Sequence, residues 1–180
     1  MIDFTQKKRI VIKLGTSTLT HKTGKLNIRR MTNLVQVLSD LHNAGKEILL
    51  VSSGAIGMGV GKLNLPERPK DTPSKQAAAA VGQCSLMYLY DKFFGDYDKT
   101  VAQILLNAED IEQEEKKENL INTFNALLEM GVIPIVNEND SVSYKEIESE
   151  DRLFGDNDML SSVVSVLCRA KRLVIFSDID

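Results

Sequence analysis

The chain has 180 residues, of which 22 are Lys or Arg and 25 are Asp or Glu, for a formal net charge of −3. A mildly acidic chain has no general field to attract nucleic acid or an anionic membrane, and no apolar run here approaches a bilayer span. Hydrophobic residues at 43% and charged residues at 26% describe an ordinary soluble globular chain, long enough for one domain with a real core.

The amino terminus, MIDFTQKKR, is polar and lacks an apolar signal core, so a cytoplasmic location is the expectation. Lys7, Lys8 and Arg9 form the densest basic group and are expected to solvate the start of the first strand. That strand is RIVIKL, Arg9–Leu14, β-branched and apolar as in a buried strand. Residues 28–44 follow as a helix, with Ile28, Met31, Leu34, Val35, Leu38 and Leu41 on one face. Gly45 stands where a left-handed cap residue is expected. EILLVS, Glu47–Ser52, is the second strand. A glycine-rich bend and a polar linker with Pro66, Pro69 and Pro73 come next. Residues 74–94 read as a long helix opened by Pro73, and its alanine run at 77–80 allows close approach to a neighbour.

Residues 100–106 are the third strand, and residues 116–130 a helix closed by Gly131. The fourth strand spans 132–136, followed by a polar loop from Asn137 to Asp156. Residues 158–170 form another helix and residues 172–177 the fifth strand. The acidic stretch 109–118 reads as a solvated surface around a helix start. Cys84 and Cys168 lie far apart in apolar helical stretches and are expected to be buried free thiols. No residues have structural-zinc spacing, and no metal-ligating set is expected. The alternation of strands and helices implies an α/β fold, a mostly parallel sheet with helices on both faces. The chain stops at SDID, directly after an apolar strand that should be covered by a following helix. It is therefore expected to be part of a longer protein.

In open parallel sheets, ligands bind beyond the carboxyl ends of the strands. The segments found there are GTST (residues 15–18), SSGAIGMGVG (52–61), NENDS (137–141), GDND (155–158) and SDID (177–180). Lys13 lies inside an apolar strand, where an ammonium needs a partner. It is either an edge-strand lysine that snorkels to water or a cation that neutralises transferring phosphoryl oxygens. Gly15, with Thr16 and its neighbours, forms a turn able to wrap a phosphate, although GxxxxGK[ST] is absent. Gly54, Gly57, Gly59 and Gly61 do not make GxGxxG; they suit close backbone approach to a ligand, with tight helix–sheet packing as the rival reading. Asn137 to Asp140 and Asp156 to Asp158 place amides and carboxylates that could hold an ammonium, orient a lysine, bind Mg²⁺ indirectly or act as caps and Asx turns.

Four segments taken together resemble the amino-acid kinase family: VIKLGTST, LLVSSGAIGMGVG, IPIVNENDSV and GDNDMLSS, in that order with helices between them. The SSGAI and NEND pair is most similar to the family's glutamate-phosphorylating branch. The resemblance covers the chain from Lys8 to Asp180 and implies the carbamate-kinase-like αβα sandwich. It further implies transfer of the ATP γ-phosphoryl group, with Mg²⁺, to the side-chain carboxylate of L-glutamate, the first step towards proline. It makes Lys13 a catalytic and ATP-phosphate-binding residue beside Gly15 and Thr16. Asp158 becomes the orienter of catalytic lysines. Ser53, Gly54, Ala55, Asp140 and Asn157 fall on glutamate-binding positions, and Ser177 and Asp178 on a hydroxyl–aspartate pair of the nucleotide site. Proline inhibition and a dimeric or tetrameric state are also implied, with no nucleic-acid or membrane partner for this portion. Residues 1–180 are then the glutamate-binding part of the kinase domain. The rest of the nucleotide half, with a second phosphate-contacting lysine, and any small RNA-binding-like PUA domain lie outside, and this portion alone is expected to be inactive. Other acceptors (UMP, carbamate, aspartate, N-acetylglutamate) and a non-catalytic amino-acid sensor remain as alternatives. A nucleotide acceptor would want arginines, and residues 52–61 and 137–141 contain none.

Overall fold

The computed structural model describes residues 8–21, 26–142 and 157–176. Five strands, β1 (Arg9–Leu14), β2 (Glu47–Ser52), β3 (Val101–Leu106), β4 (Ile133–Glu138) and β5 (Arg172–Phe176), form one sheet in the order β3-β4-β2-β1-β5. Among the described residues every strand pairing in the sheet is parallel, in keeping with the expected mostly parallel sheet. β1 lies between β2 and β5, with Lys13 opposite Val51 on one side and Ile175 on the other. Lys13 is therefore not on an edge strand.

Helices cover both faces because strand side chains alternate with a period of two. Val11, Leu49, Val51 and Val136 pack beneath α6 (Glu114–Glu129) and α7 (Asn157–Leu167), through Phe124, Leu128, Leu160 and Val164. Ile12, Leu14, Ile48, Leu50 and Ile135 pack beneath α2 (Ile28–Asn43) and α4 (Thr72–Gly95), through Met31, Val35, Tyr90 and Phe94. Lys13 has the parity of Val11 and so faces the side that carries α7. Asn27 caps α2 by accepting from the Arg30 backbone N–H, and Gly45 takes the left-handed conformation after it with φ 81°. Asp71 caps α4 by accepting from the Ser74 backbone N–H, one residue earlier than Pro73 alone suggests.

Several local expectations change. The residues after β1 form a single helical turn, α1 (Thr16–Leu19), entered through Gly15. The glycine-rich segment after β2 is helix α3 (Ala55–Lys62), not a bend. Of its glycines Gly59 belongs to close helix packing, whereas Gly57 and Gly61 have nothing within 4 Å of where a Cβ would stand. A Cβ on Gly59 would fall 1.8 Å from the Ala78 carbonyl oxygen of α4, and a Cβ on Gly82 would fall 1.7 Å from the Ala55 carbonyl oxygen. The two helix backbones interlock at one glycine from each, a contact between helices rather than between helix and sheet. β4 runs on to Glu138, so Asn137 and Glu138 are strand residues rather than the start of a loop. The acidic stretch holds the short helix α5 (Ala108–Glu112), where the Asp110 carboxylate accepts from the Asn107 backbone N–H at 2.9 Å. Cys168 is buried, and burial pushes its thiol pKa up to about 12, but Cys84 is exposed. α4 turns Cys84 outward while Ala79, Gly82, Gln83 and Leu86 face in.

Candidate functional site

The carboxyl ends of β1, β2 and β4 and the first turn of α7 converge, as a parallel sheet requires. Lys13 is only 8% exposed, and a buried ammonium is tolerated when an opposite charge meets it. That charge is Asp158, whose Oδ1 lies 2.8 Å from Lys13 Nζ. Asp158 stands in the first turn of α7, where the helix dipole favours a carboxylate. Gly15 follows β1 with φ −70°, a backbone conformation open to any residue. A Cβ there would meet Lys13 Nζ at 3.8 Å and Thr18 Oγ1 at 3.5 Å, ordinary contact distances. Chain geometry does not demand glycine at this position; its effect is to leave room in front of the ammonium. Thr16 opens α1. Ser177 and Asp178 lie outside the described residues, as do Gly155 and Asp156.

The second group of residues surrounds the β2–α3 junction. Gly54 adopts φ 99°, in the left-handed region, and lets the chain turn from strand into helix with Ala55 as the first helical residue. Ser53 Oγ donates to the Leu14 carbonyl at 3.1 Å, tying the ends of β2 and β1 together. Asn157 opens α7, yet its side chain acts across the fold: Nδ2 donates to the Ser52 carbonyl at 3.1 Å. Ala55 and Asp140 line one cavity of about 460 Å³, together with Gln83, Gln103, Glu138 and Asn139. Burial raises the Asp140 carboxyl pKa above the ordinary carboxylate value, and the positive charge of Arg68 opposes that rise. Arg68 comes from the proline-containing linker, outside both residues 52–61 and residues 137–141.

Three further partners escaped the sequence reading. Asn137 Nδ2 donates to Gln83 Oε1 at 2.9 Å, and Gln83 Nε2 donates to Gln103 Oε1 at 3.3 Å. Tyr90, fully buried, shares a hydrogen bond of 2.9 Å with Ser52 Oγ, and burial pushes its phenol pKa up to about 12. Ser52 thus joins Tyr90 of α4 to Asn157 of α7. For Gln83 and Tyr90 the local signal is a polar group on the buried face of a long helix, whereas Gln103 is exposed on β3 and carries no such signal. Among the described residues no group of three or more His, Cys, Asp or Glu is placed to hold a metal ion, and no helix is long and apolar enough to cross a membrane.

The sequence profile of the amino acid kinase family matches residues 8–180. A Clostridium perfringens protein named glutamate 5-kinase is 57% identical over 173 residues, 96% of this chain and 64% of the relative. A Listeria innocua protein of the same name is 52% identical over 96% of this chain and 62% of its own length. The chain thus spans less than two thirds of the length of these curated relatives. A crystal structure of UMP kinase from Ureaplasma parvum superposes with a TM-score of 0.60 over 97% of this chain and 71% of that one; at 11% identity the likeness is one of fold.

Proposed function

The chain belongs to the amino acid kinase family, and on that premise we propose that the whole protein transfers the γ-phosphoryl group of ATP to the side-chain carboxylate of L-glutamate. The product is L-glutamyl 5-phosphate, the first intermediate towards proline. Residues 1–180 form the glutamate-binding portion of the kinase domain. The structural observation that carries this reading is the buried Lys13 ammonium, held at 2.8 Å by Asp158 at the end of β1 and in front of the space left by Gly15. The 57% identity to a relative named glutamate 5-kinase supports the choice of acceptor.

The chemistry needs alignment and charge neutralisation more than a proton acceptor, because the attacking carboxylate is already ionised. Lys13 meets the phosphoryl oxygens and stabilises the charge spread over them in the transition state. Asp158 is a positioning residue that holds this ammonium in place. Gly15 and Thr16 pass close to the phosphates, and Ser177 and Asp178 belong to the nucleotide side. Mg²⁺ would enter with ATP and would supply positive charge that neutralises the phosphates beside Lys13. Asp140 pairs with the substrate ammonium, which offsets the burial cost of its carboxylate. Ser53, the backbone of Gly54 and Ala55, and the Asn157 amide orient the substrate carboxylates. Proline acts as a feedback ligand that competes for this region. The protein works in the cytoplasm as a homodimer or homotetramer, without a nucleic-acid or membrane partner for this portion.

The test is coupled ADP release by the full-length protein with Mg-ATP and a panel of acceptors: L-glutamate, aspartate, N-acetylglutamate, carbamate and UMP. Preferred turnover of L-glutamate supports the proposal. Preferred turnover of any other acceptor, or amino-acid binding without turnover, overturns it.

A further inference from the structure

The site described above lies at the carboxyl ends of the strands, whereas the amino ends gather cations. Lys8 precedes β1 and Arg9 begins it, Lys46 precedes β2, and Lys171 precedes β5, which Arg172 begins. β1 stands between β2 and β5, and its register sets Arg9 opposite Glu47 and Ile10 opposite Arg172. The three strand starts are therefore level. The Lys171 backbone N–H donates to the Arg9 carbonyl at 3.0 Å and ties two of them together. Adjacent strands stand about 4.8 Å apart, so cations at matching positions repel one another.

Lys8, Arg9, Ile10, Lys46, Lys171 and Arg172 line a cavity of about 220 Å³. Arg9 is buried and engaged: its Nε meets the Glu47 carboxylate and its Nη1 donates to the Cys168 carbonyl at 2.8 Å. The other four cations make no ion pair with a carboxylate among the described residues. Desolvation, followed by Lys8, Arg172 and Lys171, holds the Lys46 ammonium below the ordinary lysine pKa. A chain of net charge −3 thus gathers four like charges around one hollow, where each raises the cost of the next. Simple solvation of strand starts explains one basic residue at each start. It does not explain a hollow walled by cations from three strands, with the neighbouring Glu47 carboxylate committed to Arg9.

We infer that this cavity is a binding site for a small anion carrying two or more charges, of the phosphate class. Ammonium and guanidinium groups give such an anion charge-assisted hydrogen bonds, and a guanidinium such as that of Arg172 can meet two of its oxygens at once. The volume equals the share of about seven waters, enough for a phosphate or diphosphate and below that of pockets for drug-sized ligands. A nucleic-acid strand would call for an extended basic stripe instead. Arg9 and Lys13 are separated by about 13 Å of strand, so the anion does not share the Lys13–Asp158 pair. Such a site is independent of the reaction proposed above.

The experiment titrates the full-length protein, without ATP or glutamate, with inorganic phosphate, pyrophosphate and glycerol phosphate by calorimetry, at constant ionic strength set with KCl. Wild type is expected to bind at least one of them saturably, with a Kd of about 1 mM or below. Lys46→Gln and Arg172→Gln should each weaken that binding about tenfold, and the double variant should remove it. With no anion present the variants should melt at or above wild type, because a like charge has gone, which separates lost binding from lost folding. Lys13→Ala should keep the binding of wild type. The ranking of the ester against the two inorganic anions tells which source of phosphate the site accepts. Binding that merely follows ionic strength overturns the inference, as does unchanged affinity in the double variant. So does loss of binding in Lys13→Ala with retention in the double variant, which would put the anion on the phosphate side of the reaction site. Retention of a single-stranded RNA, with none of the three anions bound, would make the surface a nucleic-acid contact and overturn the small-anion site.

Discussion

Lys13 and Asp158 meet as a single ion pair at the end of β1, whereas the proposed acceptor side is held by chains of directional hydrogen bonds: Asn137 to Gln83 to Gln103, and Tyr90 to Ser52 with Asn157 on the Ser52 carbonyl. An ion pair is little affected by orientation and keeps most of its attraction through small shifts. Amide chains require each partner at the right distance and angle. The acceptor side therefore depends on where α4 stands, and α4 is placed by its interlock with α3 at Gly59 and Gly82. The phosphate side should fail by loss of one charge, and the acceptor side by displacement of a helix.

The largest effect expected on this contrast is from Lys13→Ala in the full-length protein. Removing one group that stabilises transition-state charge should lower kcat about 10²- to 10³-fold, about 3 to 4 kcal/mol, with KM for L-glutamate little changed. Steady-state kinetics with ADP detection measures this. A kcat within about tenfold of wild type would place the main charge stabilisation elsewhere.

Gly82→Ala comes next. Its new Cβ would sit 1.7 Å from the Ala55 carbonyl oxygen, so α3 and α4 must separate, at a cost of about 3 kcal/mol. Thermal melting should show the loss, together with a weakened affinity for L-glutamate. An unchanged Tm would mean that the two helices are not held in this close contact.

Asp140→Asn separates binding from stability. Losing a charge-assisted contact should raise KM for L-glutamate about 10- to 100-fold. Because burial lifts the Asp140 pKa in the folded state above its unfolded value, the protonated form is the one that folding favours. Stability from this group is present below the unfolded pKa and is lost as pH rises through the folded one. The ligand-free variant should melt higher than wild type at neutral pH, and the gap should close below about pH 4. A variant that melts lower at neutral pH would contradict this account.

Tyr90→Phe is the smallest expected change, removing the hydroxyl shared with Ser52 for about 1 kcal/mol. The folded Tyr90 pKa of about 12 exceeds the ordinary value of 10.0. Its contribution is full below the unfolded pKa and is lost as pH rises through the folded one. Alkaline melts of wild type should steepen in that interval and those of Tyr90→Phe should not. Matching alkaline curves would remove Tyr90 as the cause.

Strand and helix identities were legible because they follow from local periodicity. Arg9–Leu14 and Glu47–Ser52 have the expected boundaries, since a strand buried on both faces is a continuous apolar run. The site edge was legible too, because a parallel sheet gathers the segments after its strands. Helix α3 was misread as a bend, since four glycines between 54 and 61 lower helix propensity. Packing on α4 overrides that propensity, as the Gly59 contact demonstrates. Asn157 was open to reading as a cap, whereas its side chain reaches a carbonyl 105 positions away in the chain.

The sequence by itself determined the parallel α/β layering, the edge where the polar segments gather, and Lys13 as a cation that needs a partner. Those properties depend on residue type and spacing within a few turns or one strand. Only the tertiary structure decided that Gly59 and Gly82 interlock two helices, that Arg68 acts on Asp140, and that Gln83 joins Asn137 to Gln103. The Asn137–Gln83 pair is separated by 54 positions. Which donor meets which acceptor across such a distance is fixed by how whole helices dock on the sheet, and local patterning does not encode it.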